Sequence, residues 1–204
     1  MGLCTLAQVK TQLAIATADT ERDTLLTQFI AGVSAAMARA AGRIWAGAPC
    51  LEKTSMVELI TVPERHTEIL WLAARPVVSV TEIKEAVFGT FDDMEALVED
   101  EDYELDAATG ALYRIGFWLT GRKAVRATYV GGYTAAGTTP GTGETALPAD
   151  VVNAAVRQVI HEFNIRGTPG YQAESVQGSS VSRSGDDSLL PGVRQVMESY
   201  RRLG

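Results

Sequence analysis

Two cysteines, two histidines and no Gly-Lys pair leave this 204-residue chain short of the parts from which most catalytic centres are assembled. Cys4 and Cys50 are too few for a disulfide framework. No basic n-region with an apolar h-region stands ahead of them, which predicts reduced thiols in a soluble, cytosolic product. Leu6 occupies the position where a myristoylation start needs Ser or Thr, and no apolar run approaches the roughly 20 residues of a membrane-spanning helix. His66 and His161 have no Cys or His at metal-ligand spacing, and Ile165 stands where a zincin that began His161-Glu162 would need its second histidine.

The remaining motif searches are negative too. No phosphate-binding G-x-x-x-x-G-K-[ST] occurs. Gly178-Ser-Ser-Val-Ser182 lacks the last glycine of a nucleophile elbow, and Gly141-Thr-Gly143 is an isolated glycine pair. The acidic run Asp92, Asp93, Glu95, Glu99, Asp100, Glu101 and Asp102 lacks the alternating spacing and the glycine that fold a calcium loop, so it is expected to be a solvated loop. The expectation is therefore no catalytic residue, no cofactor, no metal and no enzyme. Two other classes stand beside it: a nucleic-acid-binding helical module, and an enzyme whose pocket would gather His161, Glu162 or the acidic run.

What is present is a globular composition, 46% hydrophobic and 21% charged. That suffices for one domain, or for a helical domain carrying a small β-insert. The net charge of −7 repels phosphates on average, although Arg157, Arg166, Arg183, Arg194, Arg201 and Arg202 enrich the last quarter in arginine.

Thr5 and Gln8 have capping-box spacing ahead of Leu6, Val9 and Leu13. Thr20, with Asp23 three residues on, predicts the next N-cap. Leu25, Phe29, Val33, Met37, Ala40 and Ile44 then predict a long amphipathic helix of roughly 22–24 residues over 21–45. Its small residues, among them Ala31, Ala35 and Ala38, suit either close packing inside the subunit or a second face packed on a neighbouring subunit. Short β-branched runs follow at 56–62, 68–72, 77–83, 103–106, 111–115 and 124–133, with Thr109-Gly110 as a tight turn. Connections this short make the sheet mostly antiparallel. Pro148 opens a helix to Arg166 with Val152, Val156, Val159, Ile160 and Phe163 as its stripe.

These elements predict an α+β chain. A helical core over 1–47 and 148–167 carries a β-rich insert over 50–133, followed by a flexible link over 134–147. A Ser/Gly-rich tether and an amphipathic C-terminal docking helix make up 168–204. Leu189, Leu190, Val193, Met197 and Tyr200 give that end something to bury, with Arg201 and Arg202 beside them. Docking on a partner and packing on its own domain are both open.

In order along the chain, four stretches resemble the head–tail connector (adaptor) proteins of long-tailed double-stranded DNA bacteriophages and related gene-transfer particles. They are Leu6-x-x-Val9-Lys10-x-x-Leu13, Ala41-Gly-Arg-Ile-Trp45, Arg75-Pro-Val-Val-Ser-Val80 with Tyr103-x-Leu-Asp and Thr109-Gly-x-Leu, and Val125-x-x-Thr-Tyr-Val-Gly-Gly-Tyr133 before Leu147-Pro-x-Asp150. The resemblance implies a virion neck protein made in the host cytoplasm. It implies a ring of twelve identical subunits between the portal and a stopper or tail-completion protein. DNA would pass through the central channel without specific binding, and no membrane would be involved. On that reading Leu189, Leu190, Val193, Met197, Tyr200, Arg201 and Arg202 are the expected portal-docking set, and Ala31, Ala35 and Ala38 the expected intersubunit set.

Overall fold

The computed structural model describes residues 2–45, 48–49, 51–87, 89–166, 173–176, 179–182 and 189–201, with backbone alone at 45, 48–49, 173–176 and 179–182. In chain order come helices α1 (Leu6–Gln12) and α2 (Asp23–Ala40), then the short strands β1 (Ile44–Trp45) and β2 (Ala48–Pro49). Strands β3 (Thr54–Val62), β4 (Ile69–Trp71), β5 (Val77–Glu85), β6 (Tyr103–Asp106), β7 (Ala111–Arg114) and β8 (Gly121–Gly131) follow. The chain then forms α3 (Ala149–Ile165), the strand pair β9 (Ala173–Val176) and β10 (Ser179–Ser182), and α4 (Pro191–Ser199). It divides into two compact units, a helical one from 1–41 and 148–201 and a sheet unit over 42–147.

In the helical unit, the Thr5 hydroxyl accepts the Gln8 amide and the Gln8 side chain accepts the Thr5 amide, so the capping box forms as its spacing predicts. Lys10, almost wholly buried, donates from Nζ to the carbonyls of Thr17 (3.1 Å) and Asp19 (2.6 Å) and to Asp23 Oδ1 (2.8 Å). One cation thereby ties the α1–α2 connection to the first turn of α2, where negative charge also suits the helix dipole. Helix α2 buries Leu26, Ile30, Val33, Met37 and Ala38, and α3 buries Val151, Ala155, Val159 and Phe163. Each large apolar side chain among these contributes about 1.5–3 kcal/mol of burial.

Helix α2 is shorter than its apolar periodicity predicts. It starts after Arg22, which caps without a side-chain bond, in place of Thr20. It ends at Ala40 because Gly42 adopts φ +67°, and Ile44 pairs with Pro49 in β1–β2. Ile44 extends the helical spacing by coincidence; a left-handed glycine outranks it.

The sheet unit holds two three-stranded antiparallel sheets where the sequence predicts one: β3-β8-β5 and β4-β7-β6. Their inner faces share one core of Val62, Leu70, Leu72, Val77, Ile83, Tyr103, Leu112, Trp118, Val125 and Tyr129. The Val-Gly-Gly-Tyr stretch is explained here. A Cβ at Gly131 would run into the Ala74 backbone carbonyl, and Gly132, at φ +110°, lies against the Glu52 carbonyl. Tyr129 stands beside them with its hydroxyl donating to Glu58 (2.8 Å) and accepting the Ala74 amide (2.9 Å).

Residues 134–147 are not an open link. Thr134 bridges Ala146, and the Glu144 carboxylate takes Lys53 Nζ, the Thr134 hydroxyl (3.0 Å) and the Gly141 amide (3.2 Å). A composition rich in Gly and Thr conceals this, because a single acid supplies the fastening.

Candidate functional site

Among the described residues, Val57, Leu59, Ile69, Trp71, Tyr113, Ile115 and Phe117 put exposed apolar surface on or beside the outward faces of the two sheets. Strand alternation places Ile69 and Trp71 outward on β4 around the buried Leu70. Ile69 pairs directly with Tyr113 on β7, and Tyr113 with Glu104 on β6. The next row runs Trp71, Ala111, Asp106. Past the end of β7, Ile115 and Phe117 continue outward, and Phe117 meets the His66 ring edge-on at 4.7 Å. Ile69, Trp71, Tyr113, Ile115 and Phe117 are each between 40% and 56% exposed. Ile69 and Tyr113 are direct cross-strand neighbours, so the outward side of β4 and β7 carries an apolar ribbon.

Acids border that ribbon. Glu104 lies in its Tyr113 row, while Glu64 and Glu68 are exposed near the start of β4, with exposed Arg65 as the neighbouring cation. Asp106 accepts both Thr109 donors, hydroxyl (2.6 Å) and amide (3.3 Å), and these bonds hold its carboxyl below the usual range. They also shape the predicted Thr109-Gly110 turn, where Gly110 takes φ +73°.

The outward face of β3-β8-β5 differs in both apolar character and charge. Val57 and Leu59, 65% and 44% exposed, project from the edge strand β3. Their rows continue to Thr128 and Glu82, and to Arg126 and Lys84. Glu82 bonds Lys84 (2.5 Å) and Arg126 (3.4 Å), which lower its carboxyl from the ordinary value, the Lys84 bond most. Arg126 also reaches exposed Asp92 at 4.0 Å and covers the Phe91 ring. Where the register shifts between Ile60 and Val62, Arg122 and Lys123 are exposed, Lys123 at φ +52° with its amide donating to the Thr61 hydroxyl (3.1 Å).

The acidic run is a folded loop built on backbone bonds. Asp102 accepts the Val98 amide (2.9 Å), the main reason its carboxyl is lowered, and then Arg114, which also reaches Glu85 at 3.3 Å. Among the described residues no group of three or more His, Cys, Asp or Glu could hold a metal. Cys4 is buried, and burial pushes its thiol up to about 11, away from reactive thiolate chemistry. Cys50 lies outside the described residues. A shallow groove of about 300 Å³ in the helical unit is lined by Ala7, Gln8, Thr11, Gln12, Val152, Asn153 and Val156. None of these titrates, so the groove offers no general acid, base or metal ligand. His161 lies half-buried on α3, and Glu162 accepts the Gln158 side chain (3.2 Å).

Helix α4 packs within its own unit. Val193 and Met197 are buried in the helical unit, the Leu190 amide donates to Gln158 Oε1 (2.9 Å), and the Tyr200 hydroxyl bonds Asp150 (3.0 Å). The amphipathic stripe is thus used within the subunit, leaving Leu189 and Leu190 half-buried and Arg201 exposed; Arg202 lies outside the described residues. The tether expected from 168 falls mostly outside them too, though β9 and β10 within it pair antiparallel. Of the three alanines, Ala31 is exposed and Ala35 half-buried, whereas Ala38 belongs to the core. Composition and periodicity missed the sheet faces, because Trp71, Tyr113 and Phe117 read as ordinary strand residues until register sorts inside from outside.

No protein-family model matches the chain, and no curated protein matches it. Solved structures do. A chain of the neck of the empty GTA particle, computed with C6 symmetry, aligns at TM-score 0.59 and 16% identity, covering 97% of this chain and 88% of that one. A chain of the neck of the native GTA particle, computed with C12 symmetry, gives 0.51 and 16%, with 98% and 88% covered. A chain of the virion of the native gene transfer agent (GTA) particle gives 0.53 and 18%, with 97% and 89% covered. Over nearly its whole length, this chain has the fold of chains from gene-transfer-agent particles and their necks.

Proposed function

We propose that this protein is a structural component of the neck of a phage-like particle: a connector that forms a ring of identical subunits between the portal and a stopper or tail-completion protein. The observation that carries the reading is the fold match over 97% of the chain to a chain from a particle neck with cyclic symmetry. Cyclic symmetry in such a neck implies copies related by rotation, and the C12 neck makes twelve a natural copy number. The role needs no catalytic group.

Charge supports the same reading. A subunit carrying −7, repeated about a ring, accumulates on the order of tens of negative charges. Such a wall disfavours DNA adhesion and lets the duplex slide. The portal-facing contact is assigned to the C-terminal end, with Leu189, Leu190, Tyr200, Arg201 and Arg202 as contact residues, Val193 and Met197 serving to anchor α4 in its own subunit.

The test is a deletion of the gene in a particle-producing host, followed by electron microscopy. Filled heads without tails are expected, restored by the gene supplied in trans. Intact tailed particles in its absence would refute the assignment.

A further inference from the structure

We infer that the two outward sheet faces are the two halves of one subunit–subunit contact: the Ile69/Trp71/Tyr113/Phe117 face of one copy seats on the Val57/Leu59 face of the next. The inference rests on the ring proposed above and names the surfaces that close it.

A ring contact is heterologous, so each subunit must present two different faces that fit one another but not themselves. The sheet unit has such a pair. Both faces point away from a common core, because the inner faces of both sheets contribute to it. They therefore lie on different sides of the same unit and are free to meet different neighbours. Each carries exposed apolar side chains, on β4 and the central β7 in one sheet and along the edge strand β3 in the other. The β4-β7 face is aromatic, with the Trp and Tyr that dominate well-packed contact centres, and the β3 face is aliphatic.

Charge selects the partner. The aromatic face has Glu104 and Asp106 in its rows and Glu64 and Glu68 exposed near the start of β4, with Arg65 and Arg75 as nearby cations, a net acidic border. That border repels nucleic acid and a second copy of itself. The aliphatic face carries Lys84, Arg122, Lys123 and Arg126 against Glu82 and Asp92. Acid-rimmed aromatic and base-rimmed aliphatic surfaces are complementary, while either one paired with itself sets like charges together. The bulge in β8 leaves Arg122 and Lys123 exposed opposite the end of β3.

Photocrosslinking in assembled particles tests the pairing. A benzoylphenylalanine replaces Trp71 in the full chain, an exposed position where the fold tolerates an aromatic. Irradiation is expected to give a ladder in steps of the 21.8 kDa chain, with adducts mapping to residues 55–61 or 121–130 of a second copy. Probes at Phe117 give the same answer, and a probe at Leu59 maps back to 69–71 or 113–117. Adducts to another protein, adducts elsewhere on a second copy, or none from all three positions overturn the pairing. Microscopy of the same particles separates the two levels: a cyclic ring of this chain without these adducts sinks only the pairing, and particles whose necks lack the chain sink the ring as well. A charge exchange adds an independent reading. Lys123→Glu and Glu104→Lys should each cut ring yield at least tenfold, and together restore part of it; restoration to no degree counts against the inference.

Discussion

Single side chains fasten both units, and two of them make sharp predictions. Lys10 gives three donors to two carbonyls and a carboxylate from an almost wholly buried position. Lys10→Met keeps the bulk, removes the charge and leaves those acceptors without it, which should cost about 1–3 kcal/mol. The melting temperature should fall by several degrees, and an unchanged value would show that water replaces the ammonium freely. Glu144 fastens the 134–147 loop, and its carboxyl is lowered from 4.5 to about 2, first by the Lys53 bond and then by Gly141 and Thr134. A lowered folded value means the contribution is complete above about 4.5 and is lost as pH falls toward 2. Amide protection across 134–147 should follow that window, and Glu144→Gln should flatten the dependence. Protection that stays constant to pH 2 in the unaltered protein would contradict it.

At the scale of elements, α4 distinguishes packing from docking. Met197 and Val193 are buried within the helical unit, so Met197→Ala should lower stability by about 2–5 kcal/mol in the isolated subunit, read by chemical denaturation. No loss would mean that α4 contributes little to its own subunit. Helix α2 makes a paired prediction. Ala38→Leu overfills a core position and should destabilise folding by about 1–3 kcal/mol, whereas Ala31→Leu, at an exposed position, should leave the melting temperature unchanged. Equal effects from both would contradict the burial of Ala38. These elements also show what a sequence reveals. The capping box at Thr5, the strand at 103–106 and the Thr109-Gly110 turn were legible because each depends on residues a few positions apart. The end of α2 was not, since one left-handed glycine at 42 decides it against an apolar period that runs on to Ile44. Nor was the fastening of 134–147, which needs Lys53 from far away in sequence. The outward faces were hidden for a related reason: alternation gives two sides to every strand, and only pairing across sheets tells which is the core.

For the whole molecule, the proposed neck role rests on the fold shared with neck chains of gene-transfer-agent particles, and the acidic charge agrees with it. In the proposed ring, two unlike faces on one sheet unit would let the subunit repeat around an axis, and the acidic total would give the channel its sign. The most direct measurement is a symmetry-free reconstruction of the neck in particles from a producing host, with this chain marked by a C-terminal tag. A closed ring of tagged copies around the DNA path, in contact with the portal, is the expected result. Complete necks without tagged density, or tagged copies that follow no rotation axis, would contradict it.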